Sequence, residues 1–329
     1  MMRREIFVIS RYDPEFDKRF IELFERMGAR TEYISLHDIR LKNLGTYIEK
    51  LFILRSIPEN ARIVIISRID RHLPVILSSI AKVKPVFLLF IIPPDPHHNL
   101  SSKNIALLSA VNLALSRLRA RGTYIMIGYT TPRERLLFGF IFDKFDYIYL
   151  PIYSWEKEKF IGEIPVDPPK ILIMSKKIEY KTIKRLIELL REVEITPLIV
   201  IGLTKENKEN CNIDPRVVCV MSDTLESVIP RVTAVVVTDI DHTSTSIVAR
   251  AIGSRRPIIT SKDQGLAWIY EDTGLIVYSP SNNPETIASK ILDILNNIDR
   301  YKQASLRTEI SPPKPDKIIE YLLSVIDNL

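Results

Sequence analysis

Lysines are concentrated in the segment 175–182, SKKIEYKT, which follows an apolar run at 170–174 and precedes apolar residues at helical spacing. A cation at the end of a strand, beside the amino terminus of a helix, can neutralise a diphosphate, and the helix dipole adds to the attraction. Lys176 and Lys181 are therefore candidate ligands for such a group. An ordinary solvated basic loop is the alternative interpretation.

A second polar run, TDIDHTSTS at 238–246, follows another apolar stretch. Small hydroxyl residues that open a helix offer backbone N–H groups and side-chain donors to phosphate or ribose oxygens. Serine and threonine are also favoured as plain helix caps, but one of them would suffice for that purpose. The run predicts a binding segment whose candidate ligands are Asp239, Asp241, His242, Thr243, Ser244, Thr245 and Ser246.

An acid and two imidazoles occur together in the segment 93–98, PPDPHH, after the apolar run 86–92. Histidine can move a proton or hydrogen-bond a hydroxyl group near neutral pH, so Asp95, His97 and His98 are candidate catalytic residues. A solvated histidine pair without a function is the alternative interpretation. A zinc site is not expected, because no spacing supplies a third ligand.

Alternating strands and helices position these three segments. In the first half, apolar runs predict strands at 5–10, 31–36, 62–67, 85–92, 124–128 and 147–150, and helical spacing predicts helices at 14–27, 41–55, 73–80, 104–119 and 132–140. The second half repeats the pattern, with strands at 170–174, 197–201, 217–220, 234–238, 257–260 and 275–278 and helices at 182–193, 225–229, 246–252 and 284–297. Such alternation indicates parallel, doubly wound α/β sheets, whose ligands bind at the carboxyl ends of the strands.

The length of 329 residues favours two domains over a single core. A segment with three prolines and no apolar periodicity, 153–169, is the expected linker. We predict one Rossmann-like domain at 1–152 and a second at 170–311, with parallel sheets facing a central cleft. The last segment, 312–329, contains a helix set off by prolines and is a candidate to cross back onto the first domain.

Charge and composition narrow the function classes. The net charge of +6 comes from interspersed acids and bases, which suits an anionic ligand or a membrane surface and falls short of a nucleic-acid footprint. The first residues lack the pattern of a signal peptide, and no apolar run approaches the roughly 20 residues of a spanning helix. A cytoplasmic location is therefore expected. The basic and aromatic segment 133–142 is expected to pack in the first domain, with peripheral membrane contact as the alternative.

Two further expectations rest on composition. The chain has only two cysteines, Cys211 and Cys219, with no second pair to complete a metal site, and we expect them to be reduced. It also has two glutamines and 21 prolines, a bias that favours a thermophile because it removes labile amides and stiffens loops.

The second half of the sequence resembles the C-terminal half of family 4 glycosyltransferases. The segment 170–181, KILIMSKKIEYK, is similar to the family's strand followed by Gly-Arg-x4-Lys-Gly, with Lys176 and Lys181 at the positions of its diphosphate-binding Arg and Lys. The segment 251–260, AIGSRRPIIT, is similar to its Glu-Ala-Met-Ala-x-Gly-x-Pro-Val-Ile run, and Gly265 resembles a glycine of its Gly-Gly loop. The first half matches in layout only, with His97 or His98 near the position of the family's histidine.

The resemblance implies a GT-B glycosyltransferase with a nucleotide-sugar donor, no metal or other cofactor, and a glycan, lipid-linked or protein acceptor on the first domain. The sequence departs from the family at its Glu-x7-Glu pair, which contacts the donor sugar and the ribose, because His242 and Arg250 stand there. Asp239 or Asp241 is a candidate substitute. Two alternatives follow: a GT-B binding or partner protein without catalysis, and another GT-B enzyme such as a sugar-nucleotide epimerase.

Overall fold

The computed structural model describes fourteen stretches of the chain: residues 5–10, 21–35, 61–67, 73–92, 102–150, 163–174, 180–191, 198–203, 214–215, 217–221, 225–239, 242–280, 283–307 and 315–329. The chain divides into two compact units. The first comprises Met1–Ile152 together with Lys314–Leu329, and the second comprises Tyr153–Pro313. Two separate stretches of sequence therefore build the first unit, and one continuous stretch builds the second.

A six-stranded parallel sheet lies at the centre of the first unit. Its strands are β1 (Glu5–Ser10), β2 (Arg30–Ser35), β3 (Ile63–Ser67), β4 (Phe87–Ile92), β5 (Tyr124–Tyr129) and β6 (Asp146–Tyr149), in the order β2-β1-β3-β4-β5-β6. The helices are α1 (Leu73–Val83), α2 (Ser102–Ala120) and α3 (Pro132–Phe138), and residues 21–26 are also helical.

The apolar sequence of β4 is explained by burial on both faces of this sheet. All six of its residues are buried. Leu88, Phe90 and Ile92 belong to a core cluster with residues of α1 and α2. Their alternating neighbours Phe87, Leu89 and Ile91 belong to a second cluster on the opposite face. A strand covered on both sides has no polar face, so its sequence does not alternate.

The second unit repeats this architecture. Its strands are β7 (Lys170–Met174), β8 (Leu198–Leu203), β9 (Val217–Met221), β10 (Ala234–Val237), β11 (Ile258–Thr260) and β12 (Ile276–Tyr278), in the order β12-β11-β10-β7-β8-β9. Its helices are α4 (Tyr180–Arg191), α5 (Leu225–Val228), α6 (His242–Gly253), α7 (Gly265–Trp268), α8 (Pro284–Asn296) and α9 (Ile298–Arg307). Every strand pair is parallel, as in the first unit.

The C-terminal helix, α10 (Pro315–Asp327), belongs to the first unit although it follows the second in sequence. Its residues Ile319, Leu322 and Leu323 are buried in one cluster with Ile6 and Leu23. Arg26 and Asp316 form an exposed ion pair with a separation of 3.8 Å between the charged atoms. The helix thereby covers the face of the first sheet opposite α1 and α2.

The parallel sheets confirm the predicted α/β class, and three details differ from expectation. Helix α6 begins at His242 and not at 246, so the hydroxyl residues form its first turns. Neither α9 nor the four-residue α7 was predicted from the sequence. Cys219 is disulfide-bonded, so the expectation of a reduced cysteine is wrong. The predicted helix 41–55 lies outside the described residues.

The segment 133–142 packs in the first unit only in part. Phe138, Ile141 and Phe142 are buried in the cluster beneath α1 and α2. Leu136 and Phe140 are instead 70% and 65% exposed. Leu136 and Phe140 are four residues apart in sequence, and the core of the first unit covers neither side chain.

Candidate functional site

The carboxyl ends of four strands in the second unit line up in one row. Met174 pairs with Val237, Val237 with Thr260, and Thr260 with Tyr278. Because all the strands are parallel, the segments that follow them emerge at the same edge of the sheet. These segments include Lys181, in the helix after β7, and the described residues 238–239 and 242–246 of the hydroxyl run after β10.

Buried polar groups are concentrated at this edge. Thr238 directly follows β10, and Thr260 and Tyr278 are the last residues of β11 and β12. The hydroxyl groups of all three are buried and have no hydrogen-bond partner in the described part of the chain, and the same holds for the Nε2 amide of Gln264. Buried polar groups nearly always have partners in folded proteins, so these atoms can accept a partner from outside the described chain.

The protonation state of Tyr278 favours this role. Burial raises the pKa of its hydroxyl to about 12, and the nearby carboxylate of Glu271 acts in the same direction. The group therefore keeps its proton at neutral pH and can donate it in a hydrogen bond to an oxygen atom. Phosphate and hydroxyl oxygens are suitable acceptors for such a donor.

Helices α6 and α7 are joined by a side-chain hydrogen bond above this edge. Thr245 is fully buried and its hydroxyl donates to Oε1 of Gln264 at 3.2 Å. Ser244, one residue earlier in α6, is also buried, whereas Ser246 is half-buried. The contact holds the amide of Gln264 in place, so Thr245 serves the site by positioning its neighbour.

Some of the predicted site residues are described and others are not. Lys181 is exposed in the first turn of α4, and Asp239 is half-buried two residues beyond β10. Gly265 is buried at the start of α7. His242 and Thr243 begin α6, but their side chains are not described. The remaining candidates, Asp95, His97, His98, Lys176 and Asp241, lie outside the described residues.

The first unit has a buried carboxyl group at the carboxyl edge of its own sheet. Glu134 lies in the first turn of α3, which follows β5, and its Oε2 accepts hydrogen bonds from the backbone N–H and the hydroxyl of Thr131. Burial raises the pKa of Glu134 to about 7, against the opposing effect of these hydrogen bonds. The preceding Thr130 is fully buried and its hydroxyl has no partner within the described chain.

The third predicted constellation, the segment 93–98, follows the strand that pairs with β5. Tyr129, the last residue of β5, pairs with Ile92, the last residue of β4, and the segment 93–98 follows directly. A carboxyl group that titrates near neutral pH can take or give a proton in catalysis. Glu134 was missed in the sequence because a glutamate three residues after a threonine indicates only a helix cap.

The described residues contain no group of three or more His, Cys, Asp or Glu side chains arranged to hold a metal ion. Within the same stretches, none of the helices combines the length and the apolar character required to cross a membrane.

Comparison with solved structures identifies the fold. The chain is similar to sucrose-phosphate synthase from Thermosynechococcus elongatus, with a TM-score of 0.64, 11% identity, and coverage of 97% of this chain and 95% of that one. It is similar to HepE from Anabaena in complex with UDP, with a TM-score of 0.62, 12% identity, and coverage of 99% and 100%. It is also similar to WaaG, a glycosyltransferase involved in lipopolysaccharide biosynthesis, with a TM-score of 0.59, 13% identity, and coverage of 96% and 99%.

These likenesses extend over nearly the whole chain and confirm the GT-B fold predicted from the sequence. No protein-family model matches the chain, and no curated protein matches it significantly.

Proposed function

We propose that this protein is a glycosyltransferase that moves a sugar from a nucleoside-diphosphate sugar to a glycan, lipid-linked or protein acceptor. The observation that carries the proposal is the cluster of buried polar groups without protein partners at the carboxyl edge of the second sheet. The cluster occurs in a fold shared with HepE, which binds UDP and UDP-glucose. Ligands of parallel α/β sheets bind at this edge.

The donor is held by the second unit in this proposal. Hydroxyl and amide groups at the ends of β10, β11 and β12 bind its polar atoms, and Lys181 with Lys176 neutralises the diphosphate. The start of α6 adds backbone N–H groups and the positive end of a helix dipole. These groups act without a metal ion, because cations and amides take up the charge that a metal would otherwise balance.

The reaction breaks the bond between the anomeric carbon and the diphosphate oxygen, and the electron pair leaves with the diphosphate. An acceptor hydroxyl forms the new bond to that carbon and loses its proton. Asp95, His97 or His98 in the first unit is proposed to hold the acceptor and receive this proton, and Glu134 is a further group able to do so at neutral pH. Leaving-group stabilisation and positioning supply most of the rate enhancement.

A second candidate function is favoured by the residues at the start and the third turn of α6. His242 and Arg250 stand where the resemblance places two glutamates. A guanidinium group has no acceptor for the paired hydroxyls of a ribose, whereas a carboxylate accepts from both. A GT-B binding or partner protein without catalysis accounts for this difference.

Ligand-induced thermal stabilisation tests the proposal first. UDP-, GDP-, ADP- and CDP-sugars are compared, and one class should raise the melting temperature because it binds only the native state. Turnover of that ligand is then measured with and without candidate acceptors. Transfer to an acceptor supports the main proposal, release of an altered nucleotide-sugar without an acceptor indicates an epimerase, and binding without either reaction indicates a partner protein.

The role of Lys181 is tested by Lys181→Ala. Removing one group that stabilises a departing anion costs about 100-fold in kcat, so we expect a loss of that order together with weaker binding of the nucleoside diphosphate. Lys317→Ala is the matched control, because it removes an exposed lysine of α10. Unchanged diphosphate affinity in Lys181→Ala would show that this lysine does not bind the leaving group.

A further inference from the structure

A pocket lies between α1 and α2 in the first unit. Its volume is about 580 Å³, within the range of roughly 300–1,000 Å³ that small-molecule sites occupy. Leu77 and Leu118 form apolar parts of its wall and are almost completely buried. The exposed side chains of Lys82, Lys84, Arg117 and Arg121 also line the pocket.

The pocket is at the amino edge of the first sheet. Lys82 and Lys84 stand at the end of α1, shortly before β4, and Arg117 and Arg121 stand at the end of α2, shortly before β5. Backbone hydrogen bonds from Val86 to Arg62 and from Tyr124 to Val86, each 2.8 Å long, join the entries of neighbouring strands. The proposed acceptor residues follow the opposite ends of β4 and β5, so this pocket is separate from them.

The charge of the pocket is uniformly positive. None of the described residues that line it is acidic. The four cationic side chains form no ion pair or side-chain hydrogen bond in the described part of the chain. Four like charges around one cavity repel each other, and an anion in the cavity would relieve that repulsion.

The helix ends do not account for this charge. The carboxyl terminus of each helix carries about half an elementary negative charge, so α1 and α2 together offset only about one of the four positive charges. The apolar wall beneath the cations has a low dielectric constant, which concentrates their field in the cavity. A net attraction for anions therefore remains.

Lys84 has a backbone conformation that is uncommon for a residue with a side chain. The two helices end alike, with a residue in the left-handed region after the last turn. After α2 this residue is Gly122, with φ of 94°, whereas after α1 it is Lys84, with φ of 55°. Glycine is favoured at such a position because it has no Cβ. Arg255, after α6, has the same φ of 55°, so at Lys84 this conformation positions one of the four cations and the charge of the pocket carries the case for a ligand.

We propose that this pocket binds the phosphate group of a small phosphorylated molecule or of a phospholipid head. The cations neutralise the phosphate, and the apolar wall contacts the group esterified to it. The proposal is independent of the donor site and of glycosyl transfer, because it rests on α1 and α2 alone.

Two probes distinguish the sources of the phosphate. Glycerol 3-phosphate is titrated into the full-length protein by calorimetry, and the protein is co-sedimented with phosphatidylcholine vesicles that contain or lack phosphatidylglycerol. Saturable binding of glycerol 3-phosphate supports a soluble ligand, and binding only to the vesicles with phosphatidylglycerol supports a lipid head. Failure of both probes to bind overturns the proposal.

Matched variants assign the binding to the pocket. Lys82→Gln/Lys84→Gln removes two of its charges, and Lys144→Gln/Lys317→Gln removes two exposed lysines of the same unit that do not line it. We expect the pocket variant to bind the successful probe at least about tenfold more weakly, since hydrogen bonds to charged groups contribute that much to affinity. The control should bind like the native protein, and equal losses in both variants overturn the proposal.

Two further measurements distinguish lost binding in the pocket from lost folding and from binding at the donor site. Thermal unfolding of the pocket variant establishes that it is folded, and Arg117→Gln/Arg121→Gln serves as a second pocket variant if it is not. Lys181→Ala reports any binding of the probe at the proposed donor site in the other unit. A loss of binding in Lys181→Ala together with normal binding in the pocket variants would place the phosphate at the donor site and overturn the proposal.

Discussion

The hydroxyl of Thr260 is buried at the carboxyl end of β11 and has no hydrogen-bond partner in the described chain. Burying such a group without a partner costs about 1–3 kcal/mol in the free protein. A ligand that supplies the partner removes this cost, so the hydroxyl favours the bound state over the free one. Stability and affinity should therefore respond to its removal in opposite directions.

Thr260→Val tests this relation. Valine has nearly the same shape, so we expect the free energy of unfolding of the free protein to stay the same or rise by about 1 kcal/mol. Affinity for the nucleotide-sugar should fall about tenfold, because the ligand loses a hydrogen bond. Urea unfolding and calorimetry measure the two quantities.

Thr233→Val is the control for this substitution. Thr233 is equally buried, but its hydroxyl donates to the carbonyl of Pro165 and accepts from the backbone N–H of Lys170. Its removal should cost about 1–3 kcal/mol of stability and leave the affinity of the folded protein unchanged. If Thr260→Val lost stability in the same way, the Thr260 hydroxyl would have a structural partner and not a binding role.

The buried carboxyl group of Glu134 should make the stability of the protein depend on pH. Its pKa of about 7 in the folded chain lies above the ordinary value of 4.5, because burial disfavours the carboxylate. Between these two values the unfolded chain loses the proton while the folded chain keeps it. The stability contributed by the neutral group is complete below pH 4.5 and is lost as the pH rises through about 7.

Glu134→Gln should remove this dependence. The amide stays neutral, and its oxygen can still accept the hydrogen bonds of Thr131. We expect the variant to gain stability relative to the native protein as the pH rises from 4.5 to 7, by up to about 3 kcal/mol. Denaturant unfolding at several pH values measures the difference. Glu320→Gln, at an exposed position of α10, is the control, and parallel profiles for the two variants would contradict the prediction.

The residues of the candidate site were predictable only where their local sequence carried the information. The hydroxyl run follows an apolar strand directly and Lys181 lies in the first turn of the helix after another, so the sequence predicts a sheet edge for both. The place of Thr260, Gln264 and Tyr278 in the site could not be predicted, because nothing in the local sequence distinguishes them from other polar residues. Only the strand register shows that Thr260 lies beside both Val237 and Tyr278. Register across a parallel sheet depends on contacts between distant segments, which no local pattern contains.

The helices and strands also divide into those that the local sequence predicts and those that it does not. Strand β4 was predictable because six consecutive apolar residues require burial on both faces. Helix α9 was not, because only Tyr301 and Ser305 are buried among its ten residues, and packing of Tyr301 in the second unit's core fixes its position. The start of α6 was placed four residues too late because serine and threonine favour caps over helix interiors, whereas burial of Ser244 and Thr245 overrides that preference.

Helix α10 should contribute measurably to the stability of the first unit. Leu322 is completely buried against the first sheet. Leu322→Ala should destabilise the protein by about 2–5 kcal/mol, through lost burial and a residual cavity. Glu320→Ala, on the exposed side of the same helix, should change stability by less than about 0.5 kcal/mol. Chemical denaturation distinguishes them, and a small effect of Leu322→Ala would mean that α10 contributes little to the core of the first unit.

The two units differ in whether one stretch or two stretches of the sequence build them. The two core clusters of the second unit contain only residues between Ile164 and Tyr301. One core cluster of the first unit also requires Ile319, Leu322 and Leu323 from the end of the chain. The second unit therefore carries its complete core on one stretch of sequence, whereas residues 1–152 alone lack part of theirs.

This difference predicts the behaviour of fragments. The fragment 153–313 should fold by itself and unfold in one cooperative thermal transition, because its cores are complete. The fragment 1–152 should be much less stable, because removal of α10 exposes the apolar face that it covers. Circular dichroism on heating compares the two.

The same fragment separates folding from binding. If the donor site belongs entirely to the second unit, the folded fragment 153–313 should bind the nucleoside diphosphate with nearly the affinity of the full chain, and Thr260→Val within it should weaken that binding. A fragment that unfolds without a cooperative transition would contradict the assignment of independent cores. A folded fragment that does not bind would instead contradict the assignment of the donor site to the polar cluster at the ends of β10, β11 and β12, which would still be present.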